Sequence, residues 1–167
     1  PVFSQSFLEF QARMLTGYRI KQGAALLKKH KKVCDAVQQQ YGVPGEVIIA
    51  YWALETDFGK NMGDFATIPS LATLAWDCRR PEKFREQLMG ALILYDKGDL
   101  ELDDMVGAWA GEIGHTQFLP KEYNNIAVDF DGDGHRNLKR SVADAMASSG
   151  ALLVHHGWLA NQPYLQE

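Results

Sequence analysis

One carboxylate interrupts the apolar side of a helical pattern in "IIAYWALETDFGKNMG", residues 48–63. Glu55 follows Ile48, Tyr51 and Trp52 by seven, four and three positions, so all four share one helical face. Burial beside Trp52, Tyr51 and Phe58 would disfavour the charged form of the acid. The unpaired carbonyls of a helix's last turn disfavour it again. A carboxylic acid kept protonated near neutral pH can give its proton to a glycosidic leaving oxygen. Holding it there costs of order 1–3 kcal/mol, which a purely structural position has no reason to carry. The plainer alternative is a glutamate at a frayed helix end, swung into water or bonded to loop backbone. Asp57 reads as a helix-end or loop-bonding residue. Asp64 reads as a turn residue, a cap for the next segment, or a residue lining a cleft.

A second cluster of chemical interest is "DFDGDGHRN", with the D-x-D-x-D-G start of a calcium loop. Asp129, Asp131 and Asp133 alternate, Gly134 makes the turn, and the carbonyl of His135 adds a fourth oxygen. Hard oxygen donors of this kind suit Ca²⁺ better than zinc. The twelfth position is Arg140 where a bidentate glutamate is usual, so a closing ligand must come from elsewhere. Asp144 is the candidate. Three readings stand: a weak structural calcium site, neutralisation of the acids by Arg136 or Arg140, or a plain Asp/Gly turn without an ion. In each the loop holds shape and takes no part in a reaction.

The elements that must position these groups read as helices. "FLEFQARMLTGYRI" and "GAALLKKHKKVCDAVQQQYG" carry helical spacing, with Leu26, Leu27, Val33, Cys34 and Val37 on one side. A third helix is expected from about Gly45 to Asp57, after Pro44 and ending near Gly59. "GKNMGDFATIPS" reads as an ordered loop, and Pro69 or Ser70 as the start of a short helix to Asp77. Pro81 opens a clear amphipathic helix. "MVGAWAGEIGHTQFLPKEYNN" is expected to give a short helix, a glycine-rich turn, and another short helix from about Thr116 to Asn125. "SVADAMASSGALLVHHGW" closes the chain as a helix. No stretch alternates cleanly enough for a strand. The expectation is an all-α domain with at most a short hairpin in a loop.

Composition narrows the function classes. The chain has 167 residues, 46% hydrophobic and 23% charged, which suits one soluble globular domain. A net charge of −4 argues against nucleic acid as a partner, and "KKHKK" reads as a solvated helix face. Cys34 and Cys78 are too few for a structural zinc site, and form either one disulfide or two thiols. No apolar run reaches the roughly 18 residues of a membrane span. The chain begins at Pro1 without a legible leader, so the residues alone do not name a compartment.

Three strings taken together go further: "YGVPGEVIIAYWALETDFGKNMGDFATIPSLATLAWD", "GAWAGEIGHTQFLPKEYNNIAVDFDGDG" and "SVADAMASSGALLVHHGW". In order and spacing they resemble the membrane-bound lytic transglycosylase B family, bacterial enzymes that cleave peptidoglycan. The resemblance runs from about Phe3 to Trp158. It implies a lysozyme-like helical core over 1–167, with further C-terminal family segments expected beyond "HGW". It also implies a periplasmic or outer-membrane-associated setting. The implied partner is the glycan strand of alternating N-acetylmuramic acid and N-acetylglucosamine, with other cell-wall proteins as further candidates. The implied catalytic acid is Glu55, from the family's "ET..G" motif. It would serve as acid and then base, closing a 1,6-anhydro ring with no cofactor required for the chemistry.

"GEIGHTQF" resembles the family's glycine-rich turn bordering the cleft. That implies close approach of sugar rings at Gly111 and Gly114, and an N-acetyl contact from the Gln117 amide. Glu112 is either a second carboxylate facing the cleft or one bonded to the turn's own amides, the latter being the simpler. Tyr123 either packs beneath the cleft or offers its hydroxyl to substrate. Ala108 stands where the family often has serine, so a hydroxyl near the acid is absent. The competing classes are a lysozyme-type hydrolase, with Glu55 assisted by Glu112 or Asp64, and a glycan-binding module without turnover.

Overall fold

Sequence-local signals set most helix ends in the computed structural model, which describes residues 4–163. Ser6 and Glu9 make a reciprocal capping box that starts α1 (Phe7–Met14). Thr16 caps α2 (Gly17–Lys29) through the Arg19 amide. α3 (Lys31–Tyr41) ends at Gly42 in the left-handed conformation, and Pro44 precedes α4 (Gly45–Thr56). Two expected helices are thus each divided. The first breaks at Leu15–Thr16 and the second at His30, which is both the C-cap of α2 and the N-cap of α3. The apolar stripe runs through that break, so periodicity could not see it.

β1 (Phe65–Ala66) leads directly into α5 (Thr67–Trp76), two residues earlier than Pro69 suggested. α6 (Pro81–Asp96) starts at its proline as expected. A single 3₁₀ turn (Leu102–Asp104) leads to β2 (Val106–Gly107), where a short helix was expected. The two short strands pair antiparallel, Phe65 with Gly107 and Ala66 with Val106. This ladder is no local hairpin, because α5 and α6 lie between its strands. It pins the glycine-rich segment beside the end of α4. α7 (Pro120–Ile126) begins at Pro120, later than the expected Thr116, and α8 (Val142–His155) closes the described fold.

Two apolar clusters hold the helices together. Leu71, Phe84, Leu94, Phe118 and Leu138 join α5, α6 and the turn before α7. Val37, Val43, Ile48 and Trp52 join α3 and α4. α8 belongs to both, with Ala145 and Leu152 in the first and Met146 and Ala147 in the second. Its small side chains let neighbours close on every side, and residues 144–150 are all buried. Cys34 is buried and Cys78 exposed; both are free thiols. No helix among the described residues is long and apolar enough to cross a membrane.

Candidate active site

α4 brings Glu55 to the edge of an open cleft. The helix buries Ile48, Ile49, Trp52, Ala53 and Thr56 against the core, while Leu54 and Glu55 of its last turn face outward. Tyr51 and Glu55, one turn apart, face a cleft of about 360 Å³ shared with Trp109, Glu112, Gln117 and Glu122. Ala108 and Leu119 complete its wall. Glu55 is exposed, which corrects the expectation of an acid shielded by aromatic rings. Trp52 packs edge-on against Phe58 and His115 within the core, leaving Tyr51 and Trp109 as the rings that share the cleft with the acid. The carboxyl pKa is nonetheless raised, first by partial desolvation and then by the negative charge of Glu112. Tyr51 is pushed up to about 12, mainly by burial, with Glu55 and Glu122 adding to it.

The chain leaves α4 through a strained turn. Asp57 and Phe58 have φ of 51° and 62°, conformations that L-residues rarely adopt. Arg19 holds Asp57 with an ion pair at 3.1 Å. The Thr56 hydroxyl, 1% exposed, donates to the His115 carbonyl at 2.6 Å and accepts from the Gly59 amide at 2.9 Å. Trp52 donates from Nε1 to His115 Nδ1 at 3.1 Å. That leaves the neutral ring's proton on Nε2, and burial lowers the His115 pKa, which favours the neutral ring. Thr56 and His115 therefore tie α4 to the glycine-rich turn. Thr56→Val, which strands the carbonyl and the amide, is expected to cost about 1–3 kcal/mol, measured as a lower urea midpoint with an unchanged m-value.

The turn itself is closed by a reciprocal backbone bridge between Ile113 and Phe118. Gly111 and Gly114 serve its shape rather than the approach of a sugar. Both are buried with φ of 93° and 85°. A Cβ at Gly111 would lie 2.4 Å from Leu71, and at Gly114 2.5 Å from the Leu138 carbonyl. Gln117 does line the cleft, but its Nε2 is engaged by the carbonyls of Gly114 at 2.9 Å and Met62 at 3.3 Å. Its amide oxygen is the group left for a ligand. Tyr123 is fully buried: it donates to the Arg136 carbonyl and accepts from the Leu138 amide at 2.8 Å. The reading that packs it beneath the cleft applies, and no substrate contact is available to it. Asp64 is exposed and does not line the cleft.

Glu112 reverses the simpler expectation. It lines the cleft, and its Oε2 is shut off from solvent without a hydrogen-bond partner. Trp109 and Glu122 were missed from the sequence. Trp109, 61% exposed, carries a readable signal, a tryptophan set between small residues in "GAWAG". Glu122 carries none, since an acid in the first turn of a helix is ordinary.

In the acidic loop, carboxylate oxygens of Asp129, Asp131 and Asp144 lie within 4.8 Å of one another. Asp144 is fully buried and accepts from the amides of Phe130 at 2.8 Å and Asn137 at 3.0 Å. Asp133 falls outside this cluster of side chains: it is exposed, and its carboxylate accepts from the His135 amide at 2.8 Å. Arg136 pairs with Asp99 and Arg140 with Asp104, so neither arginine neutralises the three acids. Three hard oxygen donors with no ion pair to a described side chain fit a Ca²⁺-sized cation.

Residues 1–167 match the family described as "Transglycosylase SLT domain". The chain is 34% identical over 156 residues to membrane-bound lytic murein transglycosylase B of Escherichia coli (strain K12), covering 92% of this chain and 43% of that protein. It superposes on SltB3 from Pseudomonas aeruginosa in complex with NAG-anhNAM-pentapeptide at a TM-score of 0.90 and 40% identity, over 98% of this chain and 42% of the other. It also superposes on the Escherichia coli lytic transglycosylase Slt35 in complex with calcium, at a TM-score of 0.88 and 31% identity, over 93% of this chain and 50% of the other. The chain thus spans half or less of the length of each of these relatives.

Proposed function

The chain belongs to the transglycosylase SLT domain family, and from that premise we propose that it cleaves peptidoglycan glycan strands with Glu55 as the sole proton-transfer group. The bond broken is the β-1,4 link from N-acetylmuramic acid to N-acetylglucosamine. One observation carries the reading: a glutamate of raised pKa faces a sugar-sized cleft from the last turn of α4. Glu55 in its acid form protonates the bridging oxygen as the C–O bond breaks and positive charge grows on the anomeric carbon. The carboxylate so formed takes the proton of the muramoyl 6-hydroxyl. That oxygen attacks the anomeric carbon, closing a 1,6-anhydro ring and returning Glu55 to its acid form. No water is consumed.

Residues 1–167 act in this reading as a single catalytic core, in a bacterium's periplasm or at its outer membrane. Asp129, Asp131 and Asp144 would hold a Ca²⁺ that cross-links the acidic loop to α8, remote from the chemistry. Mass spectrometry of digested sacculi is the test. Anhydro-muropeptides are expected; reducing ends would assign a hydrolase, and intact glycan a binding module.

A further inference from the structure

Glu112 is the group in the cleft that the proposed chemistry leaves unused. It reaches the cavity from the glycine-rich turn, opposite the end of α4. Its position is fixed by backbone, since the Glu112 carbonyl accepts from the Ala108 amide at 2.9 Å and the Ile113–Phe118 bridge follows immediately. Its Oε2 has neither solvent nor a donor. No lysine or arginine lines the cleft among the described residues. The titratable groups that face Glu55 are Tyr51 from its own helix, Glu112 from the turn and Glu122 from α7. His115, beneath them, is engaged by Trp52.

We propose that Glu112 is a positioning residue for the proton of Glu55, its carboxyl group in the same cleft opposing loss of that proton until substrate arrives. The inference rests on Glu55 being the acid of the proposed reaction. Two carboxyl groups that share a cleft without a lysine or arginine do not ionise independently, so charge on one opposes charge on the other. Partial desolvation is the larger influence on the Glu55 proton, and the second carboxyl group adds to it. The field acts before binding, and a glycan that expels water from the cleft strengthens it.

The test is the titration of Glu55, followed through its side-chain carboxyl ¹³C signal by NMR, in wild type, Glu112→Gln and Glu112→Asp. Glu112→Gln is expected to lower the Glu55 midpoint by roughly half a pH unit or more, and Glu112→Asp to keep most of the wild-type value. In activity on sacculi the alkaline limb of the pH–rate profile should move down by the same amount in Glu112→Gln. A Glu55 midpoint that is the same in Glu112→Gln as in wild type overturns the inference. So does a loss of folding stability in Glu112→Gln with an unmoved limb, which would make Glu112 structural. Glu55→Gln separates the two levels: if it retains activity, the reading of the reaction fails, whatever the titration shows.

Discussion

Glu55→Gln is expected to cut release of soluble fragments from peptidoglycan by roughly a thousandfold or more, with no loss of thermal stability. General acid catalysis by one positioned group contributes roughly 10²–10⁴-fold. Here the same side chain is needed twice, first to donate a proton and then to accept one. An amide does neither. The stability half follows from the sign of the pKa shift. The folded-state pKa of Glu55 is raised above the ordinary value of a glutamate. Its contribution is therefore fully present below that value and lost as pH rises through the folded pKa. Above the folded pKa the wild type carries the cost of the charge and the glutamine variant does not. Because Glu55 is exposed, solvent screens most of that cost, so the melting temperature at pH 8 should be equal or slightly higher in the variant. The same shift fixes the pH dependence of activity, which should fall as pH rises through the Glu55 midpoint. A variant that keeps a tenth of wild-type activity would remove Glu55 from its role.

How far the residues alone could lead is clear from where they misled. The i−3, i−4 and i−7 neighbours of Glu55 correctly identify its helical face, and Trp52 and Ile48 on that face are buried. The face loses its cover at its last member, since Glu55 is exposed while Ala53 and Thr56 on either side stay buried. Periodicity gives direction around a helix axis but does not say where along the axis the neighbouring elements stop. The cleft shows the complementary limit. Its other carboxylates come from a turn and from the start of α7, placed by the β1–β2 ladder and by the Thr56–His115 tie. These are contacts between segments far apart in the chain, with no local signature. Tyr123 is a third case. Its hydroxyl is satisfied by backbone groups of the loop after the acidic cluster, which no spacing rule predicts. The helix start at Pro81, by contrast, is fixed by proline's missing N–H, a property of the residue itself, and the same rule places the start of α7 at Pro120 where Thr116 was expected.

Asp144→Ala is expected to be the most damaging single change in the acidic loop, costing about 3–5 kcal/mol. The carboxylate accepts from the amides of Phe130, Asp131 and Asn137, so truncation leaves three backbone donors without partners. Each such donor costs about 1–3 kcal/mol, against a total stability of about 5–15 kcal/mol for a domain. Urea denaturation should show the loss directly, with Asp144→Asn intermediate because it retains one acceptor oxygen. Burial, first of all, raises the Asp144 pKa, with the charge of Asp131 adding to it. The stability tied to this group is therefore greatest below the ordinary pKa of an aspartate and lost as pH rises through the folded pKa. At neutral pH the buried charge opposes folding, and a bound cation is the agent that would offset it. Calcium at a hundredfold excess over its dissociation constant should therefore raise the wild-type melting temperature by about 5–10 °C at pH 7. The rise should shrink as pH falls toward the Asp144 midpoint, where protons compete for the same oxygens. Asp131→Asn, at an exposed member of the cluster, should fold normally and lose the rise. A wild-type melting temperature that is the same in calcium and in chelator would leave Asp144 as a backbone clamp alone, with its charge borne at the expense of stability.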